Sequence, residues 1–285
     1  MPDHNVCKLS IGASRLSARI ESKTKRPTLS VIMCVHREHP WLYEAIDSVL
    51  NQDDTDFEFL IAANACSDKL WDELHDRMGS TPGVRLFRGE IGQLSFNLNK
   101  LVEHATGEYL VRMDSDDVSE RYRISEMRRA IAESQPDILG SCVSVIDEQG
   151  FTVGRMDFPT ITREIVKALP KRTVFCHPSV AIRRQFLIDI RGYLGGFVSE
   201  DTDLWLRAKR AGAKMQNMPE PLLRYRVHGT QSIGSRLGYA EVAGLWLREF
   251  LISPNSFTGK GLSIALFKAI FASWLPGGRR YMTRK

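Results

Sequence analysis

Two wholly apolar segments near the start of the chain, each followed by a helical pattern, constrain the fold more than any other feature. Leu29 to Val35 and Phe57 to Ala62 have the length and the β-branched content of buried strands. Pro40 to Leu50 carries apolar residues at helical spacing, and a second helix is predicted from about Asp68 to Met78. The alternation predicts an α/β fold whose parallel sheet is covered by helices on both faces.

A third strand and helix are predicted from Val84 to Phe87 and from Ser95 to Ala105, before an apolar strand that ends in acids. That strand, Tyr109 to Met113, runs directly into Asp114-Ser115-Asp116-Asp117. Adjacent carboxylates cannot be buried unpaired, so the strand must end there. Ligands of open α/β sheets bind beyond the carboxyl ends of strands, and we therefore expect a binding site at these acids.

Carboxylates gathered at one strand end need a cation. A hard divalent ion such as Mg²⁺ or Mn²⁺ takes oxygen ligands and keeps open positions for phosphate oxygens. The pattern therefore indicates chemistry on a phosphorylated donor, although a lone acidic turn of this kind is more often only solvated. The first two strands end on the same side, so Val35 to Arg37 and Asn64 are expected beside the acids.

Composition is that of a soluble globular protein, with 285 residues and 43% hydrophobic content. The net charge of +5 is concentrated near the two ends of the chain, which suits an anionic surface, either membrane headgroups or nucleic acid. Of these we expect a peripheral membrane contact and no nucleic acid. The basic residues concerned are Arg15, Arg19, Lys23, Lys25, Arg26, Arg279, Arg280, Arg284 and Lys285.

Location and redox state follow from what the sequence does not contain. The five cysteines form no C-x-x-C pair, which favours neither a zinc site nor a disulfide framework. No signal peptide is evident, and no run of about 18 uncharged apolar residues could span a bilayer. We expect a cytoplasmic protein that works at the inner face of the membrane.

Several motifs in order along the chain resemble glycosyltransferases of family 2. The opening strand and Ser48-Val49-Leu50-Asn51-Gln52 are similar to the start of that family, and Met113-Asp114-Ser115-Asp116-Asp117 to its centre. His177-Pro178-Ser179 and Ser199-Glu200-Asp201-Thr202-Asp203 resemble its acceptor half. The match runs from about Pro27 to Ser232, and several ordered motifs are more specific than any one of them.

The resemblance implies a GT-A nucleotide-diphospho-sugar transferase fold, with a mostly parallel central sheet flanked by helices and with additional C-terminal helices. It implies a metal-dependent, inverting transfer of a sugar to a hydroxyl acceptor, in cell-surface polysaccharide or glycolipid synthesis. We expect a basic extension over residues 1–26, a catalytic domain over 27–235 and a helical segment over 236–285. The donor half of the catalytic domain is 27–130 and the acceptor half is 131–235.

The resemblance also implies roles for single residues. Asp116 and Asp114 would hold the metal, with His228 as a third ligand. Donor contacts are expected from Val35, His36, Arg37, Asn64, Asn99, Asp114, Ser115 and Asp116. The family usually carries acids after the second strand, but here the residues are Ala62 to Asp68, so the Asn64 amide is the group left to bind a pyrimidine edge.

On the acceptor side, Asp201 is the expected general base. The acceptor hydroxyl must lose a proton as it attacks opposite the leaving diphosphate, so a carboxylate remote from the metal is required. Glu200 and His177 are expected to contact the acceptor. A purely structural alternative is that Glu200, Asp201 and Asp203 cap a helix, because acids in a first turn complement the helix dipole.

The C-terminal segment is strongly apolar from Leu262 to Leu275, and a basic run follows it. It could pack on the catalytic domain or lie in a membrane interface with the basic tail on headgroups. Two rival functions also remain from the sequence. Asp114 could be the nucleophile of a haloacid-dehalogenase-type phosphatase, or the chain could be a non-catalytic binder of sugar nucleotides or glycans.

Overall fold

A computed structural model describes residues 28–229 and 236–271, in which nine strands form one sheet flanked by helices. The strands are β1 (Leu29–Val35), β2 (Phe57–Asn64), β3 (Val84–Gly89), β4 (Tyr109–Met113), β5 (Val118–Ser119), β6 (Ile138–Ile146), β7 (Thr152–Met156), β8 (Ala181–Arg183) and β9 (Met215–Arg226). The helices are α1 (Leu42–Leu50), α2 (Asp68–Met78), α3 (Leu94–His104), α4 (Arg123–Ser134), α5 (Thr162–Ala168), α6 (Arg184–Asp189), α7 (Glu200–Arg210), α8 (Arg236–Ile252) and α9 (Ser256–Phe271).

The first half of the sheet is the predicted parallel unit, in the order β3-β2-β1-β4. Leu29 of β1 lies opposite Phe57 on one side and Tyr109 on the other, so three carboxyl ends meet at one edge. Two separate apolar clusters, one on each face of the sheet, contain alternate residues of β1, with Val31 in one and Ile32 in the other. This confirms the prediction that both faces are covered.

The second half of the sheet is mixed. β8 pairs antiparallel with both β4 and β6, and β9 pairs parallel with β6 before β5 closes the order. The sheet therefore continues from the expected donor half into the expected acceptor half. Because β9 ends beside β5, which follows the acidic turn, Arg226 at the end of β9 is brought back to the acids.

Several element boundaries differ from the expectations. The second strand continues through Asn64 because Ala63 and Asn64 pair with the end of β3. The first helix begins at Leu42 rather than at Pro40, and the third begins at Leu94, where the Gln93 side chain accepts a hydrogen bond from the Phe96 amide.

The described part of the C-terminal segment is a hairpin of α8 and α9, which begins at Arg236. The helices pack closely, because a Cβ atom on Gly261 would lie 2.1 Å from the Trp246 ring. None of the helices in the described part of the chain is long and apolar enough to cross a bilayer. The basic extension, Trp274, Leu275 and the basic tail fall outside the described residues.

Candidate active site

The three acids after β4 form a compact cluster at the carboxyl edge of the sheet. One oxygen from each of Asp114, Asp116 and Asp117 lies within 4.8 Å of the others. Asp114 and Asp116 are partly exposed, whereas Asp117 is fully buried. Each acid has a different cationic or amide partner, and these partners hold the cluster together.

Asp114 is held by a buried arginine from its own strand. The Arg112 guanidinium, 2% exposed, forms an ion pair with the Asp114 carboxylate and donates to the Met113 carbonyl. Burial lowers the pKa of Arg112, but Asp114 foremost, and Glu200 on the acceptor side, outweigh burial and raise it. One buried cation therefore lies within electrostatic reach of both halves of the cleft.

Asp116 is paired with the predicted third ligand. The His228 ring nitrogen Nε2 lies 2.8 Å from Asp116 Oδ2. The His228 ring packs against Trp41 at a centroid distance of 4.8 Å, and the Arg226 guanidinium covers the same indole at 5.3 Å. The residues just after β9 therefore bring His228 to Asp116, and its role as a metal ligand stays a prediction.

Asp117 lies beneath the other two acids. Its Oδ1 accepts a hydrogen bond from the Arg226 amide at 2.8 Å, while Oδ2 has no hydrogen-bond partner among the described residues. Burial, followed by the charges of Asp116 and Asp114, raises the pKa of Asp117 well above its ordinary value.

This donor set fits a divalent cation. Carboxylate oxygens and one imidazole nitrogen are ligands that Mn²⁺ and Mg²⁺ accept, and the buried Asp117 Oδ2 without a partner marks charge that a cation would relieve. Asp116 and Asp114 with His228 are the groups that would hold the ion. Asp117 would stay beneath them, where its other oxygen is bound to the Arg226 amide.

A cleft of about 480 Å³ opens beside the cluster. His36 lines it and its Nδ1 lies 2.9 Å from the Asn64 carbonyl oxygen, which ties the ends of β1 and β2. His39 Nε2 lies 3.0 Å from Ser115 Oγ across the cleft. The lining residues are Cys34, His36, Arg37, Glu38, His39, Pro40, Trp41, Ser115, Asp116 and His228.

Three other predicted donor residues lie deeper. The Val35 side chain is fully buried in the core, so only its main chain is near the cleft. Asn64 is also buried, and its hydrogen bonding is satisfied when its amide is turned so that the nitrogen donates to the carbonyl oxygens of Val35 (2.9 Å) and Ala62 (3.2 Å). Asn99 Nδ2 donates to the Tyr193 carbonyl, and Asn99 Oδ1 accepts from the Tyr193 amide. Asn99 therefore holds the loop between α6 and α7 in place, and its contact with the donor stays a prediction.

The acceptor side is built on the first turn of α7. His177 links this turn to a buried tyrosine, because its Nδ1 lies 3.5 Å from Glu200 Oε1 and its Nε2 3.3 Å from the Tyr193 hydroxyl. Asp201 Oδ1 accepts hydrogen bonds from the amide and hydroxyl of Thr202. The structure thus brings His177, Glu200 and Asp201 into one group.

The two acids of this turn have opposite electrostatic settings. Burial raises the pKa of Glu200, but the hydrogen bond and charge of His177 outweigh it, and the net pKa is lowered. Burial and then the Glu200 carboxylate raise the pKa of Asp201. Asp201 is therefore the acid of the pair better able to take up a proton.

Asp203, in the same turn, is structural. Its carboxylate is buried between Arg207 and Arg248, at 2.6 Å from each. Trp205, two residues further on, is also buried in the core. Asp203 therefore anchors α7 to α8 by ion pairs and does not cap the helix, whereas Asp201 accepts a hydrogen bond from a main-chain amide of the first turn.

Sequence reasoning missed four contributors to this site. Arg112 sits inside a strand, where its polarity was a visible but unused signal. His39 and Trp41 follow the end of β1, in the turn that lines the cleft. Tyr193 had no local signal, because its hydroxyl reaches His177 only through the fold.

Comparison with known proteins agrees with this geometry. The sequence profile of glycosyl transferase family 2 matches residues 30–191. The O-antigen biosynthesis glycosyltransferase WbnJ of Escherichia coli is 38% identical over 232 residues, which cover 78% of this chain and 89% of that protein.

Solved structures share the fold at low identity. TarS 1–349 of S. aureus, in complex with UDP-GlcNAc, matches with a TM-score of 0.66 at 17% identity, over 86% of this chain and 73% of that one. The mannosyltransferase PcManGT of Pyrobaculum calidifontis, in complex with GDP-Man and Mn²⁺, matches with a TM-score of 0.58 at 16% identity, over 88% and 76%.

Proposed function

This chain belongs to glycosyltransferase family 2, and from that premise we propose that it moves a sugar from a nucleoside-diphosphate donor to a hydroxyl acceptor with inversion. It is a glycosyltransferase of the GT-A fold, so the phosphatase interpretation of Asp114 is wrong. The observation that carries the mechanism is the acidic cluster at the end of β4, which lies beside a cleft, together with a second acidic group on α7 that the same buried Arg112 senses through Glu200.

The donor side would bind the diphosphate. Held by Asp116 and Asp114 with His228, Mn²⁺ or Mg²⁺ would supply Lewis-acid neutralisation of the leaving group. Arg112 holds Asp114 in position through their ion pair, and His36 and Arg37 line the cleft where the donor would lie. The asparagine at the end of β2 leaves its amide oxygen as the acceptor for a nucleotide base, since its nitrogen is bound to the main chain.

The acceptor side would remove the proton. The Asp201 carboxylate takes the hydroxyl proton as the acceptor oxygen attacks the anomeric carbon, and the bond to the diphosphate breaks on the opposite face. Glu200, kept ionised by His177, repels a second negative charge on Asp201 and so increases its basicity. A single displacement of this kind inverts the anomeric configuration.

The pathway is proposed from the named relative. WbnJ is a glycosyltransferase of O-antigen biosynthesis, and we infer that this chain likewise extends a cell-surface polysaccharide or glycolipid at the inner face of the membrane. The solved neighbours hold a UDP sugar and a GDP sugar, so either base is a candidate for the donor.

A panel of nucleotide sugars tests the function directly. A donor that binds only the folded state raises the unfolding temperature by mass action, and we expect the rise with Mn²⁺ to disappear in chelator. The product made from the stabilising donor should carry the inverted anomeric configuration by NMR. A panel in which no nucleotide sugar stabilises the protein would favour the glycan-binding alternative.

A further inference from the structure

In the first helix of the α8–α9 hairpin, charged side chains face the catalytic domain and apolar side chains face outward. A helix on a protein surface usually turns an apolar stripe inward and its charges outward. In α8 the charges face inward, because Arg248 lies 2.6 Å from the buried Asp203 and 2.9 Å from Glu249, and Glu249 also pairs with Arg210. Ion pairs thus hold this helix to the catalytic domain.

The outward side of α8 is apolar over its whole length. Its exposed residues recur every three or four positions and, after the first residue of the helix, carry no charge. Leu251, at the end of the stripe, is 71% exposed. The stripe consists of Leu237, Ala240, Gly244, Leu247 and Leu251.

The second helix also exposes apolar side chains. Small side chains face inward in α9, where Gly261 packs against Trp246 and Ala265 is buried. Large apolar side chains point outward instead, and Ile270 is 67% exposed. The four concerned are Leu266, Phe267, Ile270 and Phe271. We call the two sets together the hairpin face.

The charge around the hairpin face indicates what covers it. In the described helix α9, Lys260 and Lys268 are basic and no residue is acidic, and four more basic residues follow in the sequence, outside the described residues. Lys268 reaches the main chain of Lys171, beside a cleft lined by three basic residues, Lys167, Lys171 and Arg172, and two acidic ones, Asp157 and Glu164. Apolar side chains on a helix whose charges are all basic match an anionic bilayer, in which the apolar side chains meet the acyl chains and the basic ones meet the headgroups. Two copies of this face would meet with like charges, which disfavours self-association.

The hairpin face also reaches the acceptor side of the cleft. The Glu241 carboxylate of α8 accepts the amides of Phe197 (2.6 Å) and Val198 (3.1 Å), in the loop before Glu200. Phe197 is 83% exposed and Leu194 is 51% exposed on that loop. A bilayer on the hairpin face would therefore adjoin the site where an acceptor enters.

We propose that the hairpin face, with Leu194 and Phe197 at one end, docks on an anionic lipid bilayer. This deepens the proposed function and rests on it only in identifying the loop as the acceptor side. Docking would place the loop that carries Leu194 and Phe197 at the headgroup level. The acceptor class that this favours is a glycan on a membrane lipid, since its sugar end would meet Asp201 without leaving the surface.

Vesicle flotation of the full chain tests the docking. We expect binding to phosphatidylglycerol–phosphatidylcholine vesicles, weaker at high salt, and little binding to phosphatidylcholine alone. The double variant Leu251→Ser/Ile270→Ser should lower the partition coefficient roughly tenfold or more, because two side chains no longer enter the bilayer. Phe151→Ser, at an equally exposed residue (71%) in the turn between β6 and β7, should bind as the parent does. Thermal melting would verify that both variants fold.

Three results would overturn the proposal. The first is that the parent does not bind anionic vesicles, and the second is that Phe151→Ser loses as much vesicle binding as the double variant. The third is a dimer in sedimentation velocity that the double variant dissociates, which would make the face a protein interface. Metal-dependent donor binding, measured on the same samples, separates the two proposals. Vesicle binding without donor binding would contradict the proposed function alone, and donor binding without vesicle binding would contradict the docking alone.

Discussion

The donor side and the acceptor side of the cleft place carboxylates in opposite settings. On the donor side, Asp114 pairs with Arg112 and Asp116 with His228. On the acceptor side, Asp201 stands beside another carboxylate, and Thr202 supplies its hydrogen bonds. The partners of Asp114 and Asp116 orient these acids for a cation, whereas Asp201, which must accept a proton, is placed where its charge is disfavoured.

The two sides also differ in what holds them. The donor acids follow a central strand paired on both sides, so the sheet fixes their main chain. Asp201 follows a loop in which Gly195 and Gly196 have positive φ, a conformation that side chains other than glycine rarely adopt. Gln93 and Glu241 hold that loop by hydrogen bonds. Changes on the donor side should therefore affect the metal, and changes near the loop should affect the acceptor.

The largest effect is expected from Asp116→Asn. The amide cannot supply the charge that a divalent ion needs, and the leaving diphosphate loses its neutralisation, so transfer should fall roughly 10³-fold or more. Donor affinity should weaken in Mn²⁺ and match that of the parent in chelator. Titration calorimetry with and without chelator measures this, with Asp189→Asn, an exposed acid of α6, as the control. Equal parent affinity in chelator and in Mn²⁺ would contradict a metal role.

Asp201→Asn should lower kcat by at least roughly 10²-fold, the lower range for a positioned base, with donor affinity and melting temperature nearly intact. The reason is that asparagine keeps the shape and the Thr202 contacts but cannot accept the proton. Steady-state kinetics with calorimetry of the donor separate the two effects. Near-normal turnover, or a product of retained configuration, would show that Asp201 has only a structural role in the first turn of α7.

The pH dependence sharpens the same assignment. Because burial and Glu200 raise the pKa of Asp201, the base becomes protonated at a higher pH than a solvent-exposed aspartate does. Activity at saturating metal should therefore fall on acidification while surface aspartates are still ionised. That acidic limb should be absent from the residual activity of Asp201→Asn. A limb that the variant keeps unchanged would belong to another group, such as the metal ligands.

A smaller, about tenfold loss of apparent Mn²⁺ affinity is expected for Arg112→Lys. Lysine keeps the charge but not the fork that reaches Asp114 and the Met113 carbonyl together, and groups that orient metal ligands typically contribute this much. Turnover at saturating Mn²⁺ should recover. The matched control is Arg183→Lys. Arg183 lies in the adjoining strand β8 and forms an ion pair with Asp137. Unchanged metal affinity in Arg112→Lys would limit this arginine to a structural role.

The difference between the two sides also explains what the sequence could predict. The acids after β4 are a short local pattern at a strand end, so the clustering of Asp114 and Asp116 could be predicted without the fold. Asp201 and His228 were chosen through the family resemblance, and the structure places His228 at Asp116.

Long-range partners were beyond the sequence. Nothing local indicates that Tyr193 meets His177 or that Asp203 pairs with Arg248 of α8. The reversed polarity of α8 was missed for the same reason, because a helix with apolar residues on one side predicts burial of that side. Only the ion pairs of the opposite side show which way it faces.

The smallest effect is expected from Glu241→Gln, which probes the hold on the acceptor loop. The carboxylate accepts two main-chain amides, whereas glutamine offers one oxygen and turns an NH₂ group toward the other amide. Losing one charge-assisted hydrogen bond should let the loop shift, so KM for the acceptor should rise about three- to tenfold with donor affinity unchanged.

The control for this change is Glu103→Gln at an exposed acid on α3, which should leave the KM for the acceptor and the affinity for the donor unchanged. If Glu241 were needed only for stability, the melting temperature would fall and the acceptor KM of the folded enzyme would not move. An equal rise in the donor KM would show that the loop serves both sides of the cleft. A selective rise in the acceptor KM is the outcome that the two hydrogen bonds from α8 predict.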